Sequence, residues 1–266
     1  MSETASRWSR LRYLLAIPVV LAIPVIALVA RGMGPAPVPP TDGPRVVQFA
    51  TPVANSYAIV GESGVVLVDA QEADFEDFIV ESLAAENIDR GDVKAILLTH
   101  GHADHAGSVA ALATALEVPA YVGQGDVSMV TAGQNRELPS MSLIASLLKR
   151  MLGGAYPPYA DVKGVAGSMD LSSMGVDGIA RVGAGHTDGA MLIELGNGVA
   201  VVGDLIRGEM LAPYEAEMHF FHEHCPTSHA QLQLLLDNGT TLFYVGHGGP
   251  LTAETVKGYL ASVECP

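Results

Sequence analysis

Basic residues are scarce in this 266-residue chain, which contains 14 Lys and Arg against 29 Asp and Glu. The first 44 residues hold four of the basic and two of the acidic side chains, so residues 45–266 keep 10 basic and 27 acidic ones. The net charge of that part is therefore near −17 with neutral histidines. Such a charge repels nucleic-acid phosphates and anionic lipid surfaces, and we expect no nucleic-acid partner.

Cysteine is also rare, with only Cys225 and Cys265 in the chain. Both lie late in the sequence and could pair in an oxidising compartment. Two unpaired, partly buried thiols are the alternative. No short-period repeat is present, and a hydrophobic content of 49% suits one sizeable domain or two small ones.

Charge is missing altogether from residues 13–30, which follow three arginines. About 20 apolar residues cross a bilayer core, whereas the apolar part of a signal peptide has about 7–15. We favour an uncleaved membrane anchor over residues 1–31, with a cleaved signal peptide as the alternative. The preceding arginines predict a cytoplasmic N-terminus. The rest would be anchored outside the cytoplasm, or secreted or periplasmic after cleavage.

Residues 32–44 contain five prolines and are interpreted as a semi-rigid linker. A single folded domain is predicted over residues 45–266. Within it, apolar runs that predict buried strands alternate with segments of helical spacing, which indicates an α/β (α+β) fold. The predicted strands include 64–69, 93–98, 176–182, 242–245 and a hairpin of 191–195 with 199–202. The predicted helices are 75–86, 106–116, 228–236 and 252–263.

Metal-capable side chains follow four of these strands, each beside a glycine. They are His100, His102, Asp104 and His105 in the first segment, then His186, Asp204 and His247. Side chains at the carboxyl ends of strands converge on one rim of an α/β fold. Imidazoles and carboxylates together suit zinc, iron or manganese.

The spacing suggests how two ions would be shared. His100 and His102, two apart in an extended segment, project the same way, and His186 would complete three ligands for one ion. Asp104 and His105 would reach a second ion with His247, and Asp204 could bridge both. The alternative is a cluster of turn histidines without a metal.

The sequence resembles the metallo-β-lactamase-fold hydrolase superfamily over about residues 45–266. "THGHADHAG" matches its T-H-x-H-x-D-H-x-G motif, "VVGDL" its G-D segment and "VGHGGP" its G-H-G-x-P segment. "GAGHTDGA" resembles P-G-H-T-x-G-S, with Ala184 and Ala190 as departures. The resemblance implies a four-layered αββα sandwich. It also implies two divalent ions, with zinc favoured, held by the seven residues above.

The resemblance further implies a metal-bridging hydroxide that attacks a small-molecule substrate. Asp104 would orient this nucleophile as a catalytic residue, and Asp69 would support the histidine loop by hydrogen bonds rather than bind metal. In having Asp204, the chain resembles the hydrolase branches of the superfamily that carry aspartate at this position. Many β-lactamases of the superfamily carry Cys or Ser there. Diiron redox members of the superfamily normally carry Glu in place of the second histidine of the motif, so His102 in the resemblance implies hydrolysis rather than redox chemistry.

Two features that the chain lacks narrow the range of substrates that the resemblance implies. No Lys lies between Asp204 and His247, which predicts weak β-lactamase activity, and only 19 residues follow His247, too few for the helical domain of glyoxalase II. We expect a small ester, thioester, lactone or lactam as substrate. The alternatives are a phosphodiesterase on small or lipid phosphates and a non-hydrolytic diiron or metal-binding module. The oligomeric state is not predicted.

Two further stretches have more than one interpretation. Residues 138–159 have apolar residues at helical spacing and form either a lid, a helix on the lipid surface or ordinary core. Tyr214 could cover the site, although an unrelated position is favoured. Residues 218–230 hold four histidines for which solvated loop positions are favoured over substrate contacts or a third metal site. These are His219, His222, His224 and His229.

Overall fold

The computed structural model describes residues 35–148 and 154–266, and its first strand begins at Arg45. Six strands form the first sheet in chain order. The first three strands pair antiparallel, and the third to sixth strands pair parallel. They are β1 (Arg45–Ala50), β2 (Asn55–Val60), β3 (Val65–Val68), β4 (Val93–Leu97), β5 (Ala120–Gly123) and β6 (Lys163–Val165).

The second sheet has the order β14-β13-β10-β9-β8-β7, and its only parallel pair among the described strands is β10 with β13. Its strands are β7 (Ser168–Asp170), β8 (Gly178–Val182), β9 (Met191–Leu195), β10 (Val199–Gly203), β13 (Leu242–Val245) and β14 (Leu251–Thr252). The hairpin predicted between β9 and β10 is present, with Val199 opposite Leu195. A small ribbon pairs β11 (Arg207–Gly208) with β12 (Ala216–Glu217).

Seven α-helices accompany the sheets within the described residues. They are α1 (Glu76–Ala85), α2 (Ala103–Ala106), α3 (Val109–Leu116), α4 (Val127–Ala132), α5 (Leu143–Leu148), α6 (Cys225–Asp237) and α7 (Ala253–Ser262). The predicted mixed α/β fold is thereby confirmed.

Three apolar layers hold these elements together, because successive strand residues face opposite sides of a sheet. Leu67 of β3 packs with α1 and α3, whereas Val66 and Val68 face the other sheet. On that second sheet, Val201 faces inwards and Val202 packs outwards against α6 and α7. The helices therefore cover the outer faces of two sheets packed on each other.

The helix predicted over residues 106–116 is present from Val109 to Leu116, but its predicted start is wrong, because Ala106 ends a separate helix and Gly107 and Ser108 lie between the two. The backbone N–H of Gly107 donates to the carbonyl of Gln71, and the Ser108 hydroxyl donates to the carbonyl of Glu72. A Cβ on Gly107 would lie 2.3 Å from the backbone nitrogen of Ala73. Close packing against residues 71–73 therefore ends the first helix early.

The predicted membrane segment over residues 13–30 lies outside the described residues. Among the described residues, no helix combines the length and apolar character needed to cross a bilayer. Cys225 and Cys265 form a disulfide, which decides between the two interpretations of the cysteine pair. It joins the start of α6 to the chain end.

Candidate metal centre

The carboxyl ends of strands from both sheets meet at one edge of the sandwich. Asp69 follows β3, His100 follows β4, Asp204 follows β10 and His247 follows β13, while His186 lies between β8 and β9. All seven residues predicted to bind metal are brought together here.

The first group of ligand-capable atoms comes from His100, His102 and His186, all buried. Their nitrogens lie within 4.8 Å of one another, and Nδ1 of His102 is 3.1 Å from Nε2 of His186. This first group matches the set that the H-x-H spacing predicted for one ion.

The second group is formed by Asp104, His105 and His247, whose ligand atoms also lie within 4.8 Å of one another. Oδ2 of Asp104 is 3.8 Å from Nε2 of His105 and 3.5 Å from Nε2 of His247. Unlike the first group, this second group reaches solvent, because the Asp104 side chain is 31% exposed and that of His247 20%.

Asp204 lies between the two groups. Its Oδ2 is 3.7 Å from Nε2 of His100 and 3.6 Å from that of His186. The same oxygen is 3.6 Å from Nε2 of His105 and 3.3 Å from that of His247. One carboxylate oxygen thus faces imidazole nitrogens of both groups, as a bridging ligand requires.

Several buried polar atoms of the site have no hydrogen-bond partner in the described part of the chain. They are Nε2 of His100, Nε2 of His105 and Oδ1 of Asp204. A buried polar atom without a partner costs roughly 1–3 kcal/mol. Cations among these atoms would remove that cost, and nitrogen and carboxylate donors suit divalent transition metals. The residues therefore fit a metal centre.

Electrostatics separates the two groups. Burial lowers the pKa of His100 and His186 well below the ordinary value, and it lowers that of His102 to about 4. Burial also opposes charge on His105 and His247, but neighbouring carboxylates, Asp204 first, outweigh it and raise the pKa of both. The first group is thus neutral near pH 7.

The centre is supported from behind by Asp69, as predicted. Its carboxylate accepts hydrogen bonds from the backbone N–H and hydroxyl of Thr99, and it lies 2.9 Å from Nδ1 of His105. A carboxylate on the far nitrogen of a histidine fixes its tautomer and directs the other nitrogen forward. Nε2 of His105 accordingly faces Asp204.

A second supporting carboxylate, Asp126, was missed by the sequence reasoning. It is fully buried after β5 and accepts hydrogen bonds from the Gly101 N–H at 3.1 Å and the Thr187 hydroxyl at 2.6 Å. Gly101 separates the two histidines of the H-x-H segment, and Thr187 follows His186. Asp126 therefore ties together the two loops that carry the first group. Its position three residues after the end of a strand, in "GQGD", was the available signal.

Two glycines allow the strand ends to approach this closely. A Cβ on Gly246, before His247, would lie 2.0 Å from Oδ1 of Asp204. Gly203, before Asp204, has a φ of +52°, and its Cβ would meet the Thr99 side chain at 2.8 Å. A larger residue at Gly246 would push the Asp204 carboxylate away from the histidines, and one at Gly203 would displace Thr99.

Solvated positions were favoured for the four histidines of residues 218–230, and this is wrong for two of them. His219 and His222 are buried, and Nε2 of His219 lies 3.2 Å from Oδ2 of Asp204. His222 contacts the Ser228 hydroxyl through Nδ1, whereas the side chain of His224 is 64% exposed. His219 was therefore a missed residue of the site.

His229, the last of these four, contacts the Tyr259 hydroxyl at 2.8 Å, beside the disulfide. Tyr214 is half-buried, and no hydrogen bond joins it to the site within residues 35–148 and 154–266.

The described parts of the segment 138–159 border the site. Ser140 pairs with Phe221, and the hydroxyl of Tyr156 donates to the carbonyl of Gly101 at 2.6 Å. Leu143 and Leu147 of α5 are 91% and 63% exposed, so ordinary core packing is wrong for these two residues. Residues 149–153 of this stretch lie outside the described residues.

The sequence model of the metallo-beta-lactamase superfamily matches residues 51–247, which include all seven predicted ligands. The chain belongs to the metallo-β-lactamase superfamily. As a member of this superfamily, the protein is a metallo-hydrolase. A comparison with curated proteins finds no match.

Solved structures of similar fold include several β-lactamases. The metallo-β-lactamase SMB-1, bound to 2-mercaptoethanesulfonate, is 18% identical, with a TM-score of 0.57 over 77% of this chain and 78% of that chain. BJP-1, a subclass B3 metallo-β-lactamase of Bradyrhizobium japonicum, is 16% identical, with a TM-score of 0.54 over 86% and 84%. TTHA1623 in a di-iron-bound form is 25% identical, with a TM-score of 0.56 over 78% and 94%.

Proposed function

We propose that the protein is a dinuclear metallo-hydrolase, with zinc as the favoured metal, that cleaves a small ester, thioester, lactone or lactam. One observation carries the proposal: a single oxygen of Asp204 faces two groups of ligand-capable side chains, among buried polar atoms that have no other partner. The family membership supports the hydrolytic part of it.

In this proposal each group holds one ion. His100, His102 and His186 supply three nitrogens to the first, and Asp104, His105 and His247 supply the ligands of the second. Three protein ligands on each ion, with Asp204 between them, leave positions for water and substrate, as catalytic rather than structural metal sites do.

Bound divalent ions would lower the pKa of water towards 7 and polarise the bond that is attacked. Asp104 is the carboxylate best placed to hold and orient the nucleophilic water, because it belongs to the second group and is 31% exposed. The neutral imidazoles of the first group need not lose protons near pH 7 before they bind a cation.

The surroundings favour neutral acyl substrates. Arg207 is the only basic residue between Asp204 and His247, and it is buried, ion-paired with Glu217 and stacked on Phe220 at 4.1 Å. The Arg207 guanidinium is therefore engaged by contacts within the protein and is not free to bind the carboxylate of a β-lactam drug. Weak β-lactamase activity remains our prediction.

A phosphodiester is disfavoured by the charge around the second group. Burial first, and the nearby Asp104 carboxylate second, raise the pKa of Glu72. The second cause places Glu72 within electrostatic reach of Asp104, and two carboxylates on the open side of the centre disfavour an anionic substrate.

Iron is the main alternative to zinc, since the similar structure of TTHA1623 is described in a di-iron-bound form. Nitrogen and carboxylate ligands accept either metal, and availability contributes to the choice. Elemental analysis therefore belongs to the test of this proposal.

We further propose that the catalytic domain works outside the cytoplasm. The Cys225–Cys265 disulfide supports this location, because disulfides persist in oxidising compartments and are rare in the cytosol. Whether residues 1–31 anchor the chain or are cleaved stays a prediction.

The deciding experiment combines metal analysis with turnover on the purified full chain. Elemental analysis gives metal per chain, and a panel of lactone, thioester, β-lactam and bis-(p-nitrophenyl) phosphate substrates gives rates. About two ions per chain with turnover of a neutral acyl substrate is the expected result. Substoichiometric metal after supplementation would overturn the dinuclear centre, and preferred phosphodiester turnover would overturn the substrate class. His224→Ala, at an exposed position near the site, is the control.

A further inference from the structure

We propose that His219 is an additional metal ligand, which joins His186 and Asp204 around one ion of the centre. The inference rests on the proposed metal centre and adds to it a residue that none of the superfamily motifs in this sequence contains. His219 lies in an irregular segment after β12.

Distances support direct coordination. Ligands about 2.0–2.2 Å from one ion, at tetrahedral or octahedral angles, lie roughly 3.0–3.5 Å from each other. Nε2 of His219 is 3.2 Å from Oδ2 of Asp204, and Nε2 of His186 is 3.6 Å from the same oxygen. The ligand atoms of these three residues lie within 4.8 Å of one another. His219 thus occupies the same kind of position as the predicted ligands.

The other ring nitrogen of His219 is placed as in a metal-binding histidine. Such residues usually direct the second nitrogen at a carbonyl or carboxylate, which orients the first. Nδ1 of His219 lies 3.1 Å from the carbonyl oxygen of Phe221 and 3.3 Å from the backbone nitrogen of the same residue, and Nδ1 of His186 is 2.8 Å from that carbonyl oxygen. His247 contacts the carbonyl of Val53 in the same way. One backbone carbonyl therefore orients both His186 and His219.

The ring of His219 lies between the two groups of ligands. Its centroid is 4.7 Å from that of His186 and 5.4 Å from that of His247, on which it is stacked. The residue is only 6% exposed. A buried imidazole nitrogen that points at a metal-binding carboxylate either donates a hydrogen bond to it or shares its cation. Because Nδ1 of His219 and Nδ1 of His186 lie against the same carbonyl oxygen, we favour coordination of a shared cation over a hydrogen bond to Asp204.

An added imidazole has a chemical consequence. It makes the ligand set richer in nitrogen, which favours zinc, iron, cobalt or nickel over magnesium or calcium. We therefore expect His219 to determine how tightly one ion of the pair is held.

The test measures metal binding on the full chain, independently of turnover. Metal-free wild type, His219→Ala, His219→Gln and His224→Ala are titrated with zinc against a chromophoric chelator, and the cobalt(II) forms are compared by visible absorption. We expect His219→Ala to weaken one ion by about tenfold or more and to change the cobalt bands. His224→Ala should match the wild type.

The glutamine variant separates a ligand from a hydrogen-bond donor. Its amide can donate to Asp204 but is a poor ligand for these metals, so coordination predicts a loss in His219→Gln as well. Wild-type affinity and spectra in either His219 variant would overturn the inference and leave the dinuclear centre in place. Absence of metal binding in the wild type would instead overturn the proposed function. Circular dichroism identifies a variant that fails to fold, and the other variant then decides.

Discussion

The two ligand groups differ in exposure and in charge, although they share Asp204. His100, His102 and His186 are buried, and burial lowers the pKa of all three. Asp104 and His247 of the second group are partly exposed, and carboxylates overcome burial to raise the pKa of His247.

This difference shows that the two groups prepare for a cation in opposite ways. The first group is a set of neutral nitrogens that already has the protonation state for metal binding. The histidines of the second group hold protons more tightly than free imidazole does, and any such protons must leave before a metal enters. The protein thus combines a closed group of neutral imidazoles with an open group whose histidines hold protons more tightly.

The largest effect is expected from removal of the Asp204 carboxylate, which the two ligand groups share. Asp204→Ala should abolish metal binding at both groups, because one oxygen of Asp204 faces imidazole nitrogens of each. Activity should fall by more than the ~10–100-fold typical of losing an outer partner of a ligand. Elemental analysis and turnover on the best substrate are the measurements. Retention of two ions at wild-type affinity would contradict the bridging role.

The next effect should separate the groups through the carboxylates behind them. Asp126→Asn should weaken the ion of the first group by about 10–100-fold, and Asp69→Asn should weaken that of the second to a similar extent. The reason is that Asp126 holds Gly101 and Thr187, whereas Asp69 contacts His105.

Chelator competition measures the affinity of each ion in these two variants. The exposed Asp161→Asn is the matched control and should behave as the wild type. Equal weakening of both ions in each variant would remove the proposed division between the groups.

Acidification should empty the groups in sequence. The pKa of His105 and His247 is raised, so protons compete with metal there at a higher pH than at His102, whose pKa is about 4. As pH falls, the second ion should leave first, and dialysis at stepped pH with elemental analysis would show a one-ion plateau. Simultaneous loss of both ions would argue against this order.

The same shifts set the sign of a stability effect. The pKa of His105 is raised in the folded protein, so protonation of His105 stabilises the metal-free fold at pH values below its unfolded-state pKa near 6.5. This stabilisation is lost as the pH rises through the folded-state pKa. Added metal requires the deprotonated form. The gain in Tm on metal addition should therefore increase with pH above about 6.5, as measured by thermal unfolding with and without metal.

The smallest expected effect concerns Arg136, which pairs with Asp126 at 3.3 Å and with Glu223 at 2.6 Å. Its side chain is 34% exposed, so solvent screens these pairs. Arg136→Ala should lower the free energy of unfolding by about 0.2–1 kcal/mol, with both ions retained. Thermal unfolding and elemental analysis check this. Loss of the first ion alone would show that Arg136 is needed to position Asp126.

Much of the centre could be predicted because regular strands determine where their ends lie. The seven predicted ligands follow strands or flank them, and the period-two pattern together with glycine marks those positions. His219 lacked such a signal, since it follows a two-residue strand and no periodic pattern surrounds it. It reaches the site through tertiary pairing, with the N–H of Met141 donating to the carbonyl of Phe220.

The helix boundaries show the same limit. Helical spacing and composition predicted continuity from residue 106 to 116, but contacts with residues 71–73 separate α2 from α3. Likewise, the sequence left the cysteine pair undecided, because pairing depends on where α7 places the chain end relative to α6. Local patterns predict elements, whereas contacts between distant segments decide where they stop and what they bring together.

The carbonyl of Phe221, which lies against both His186 and His219, has a consequence for how the site tolerates mutation. A backbone acceptor does not depend on the side chain at its position, so replacement of Phe221 leaves the oxygen in place. A one-residue deletion between Phe221 and the cap of α6 would instead withdraw it from two histidines at once. This part of the centre should therefore accept substitutions readily and changes in loop length poorly.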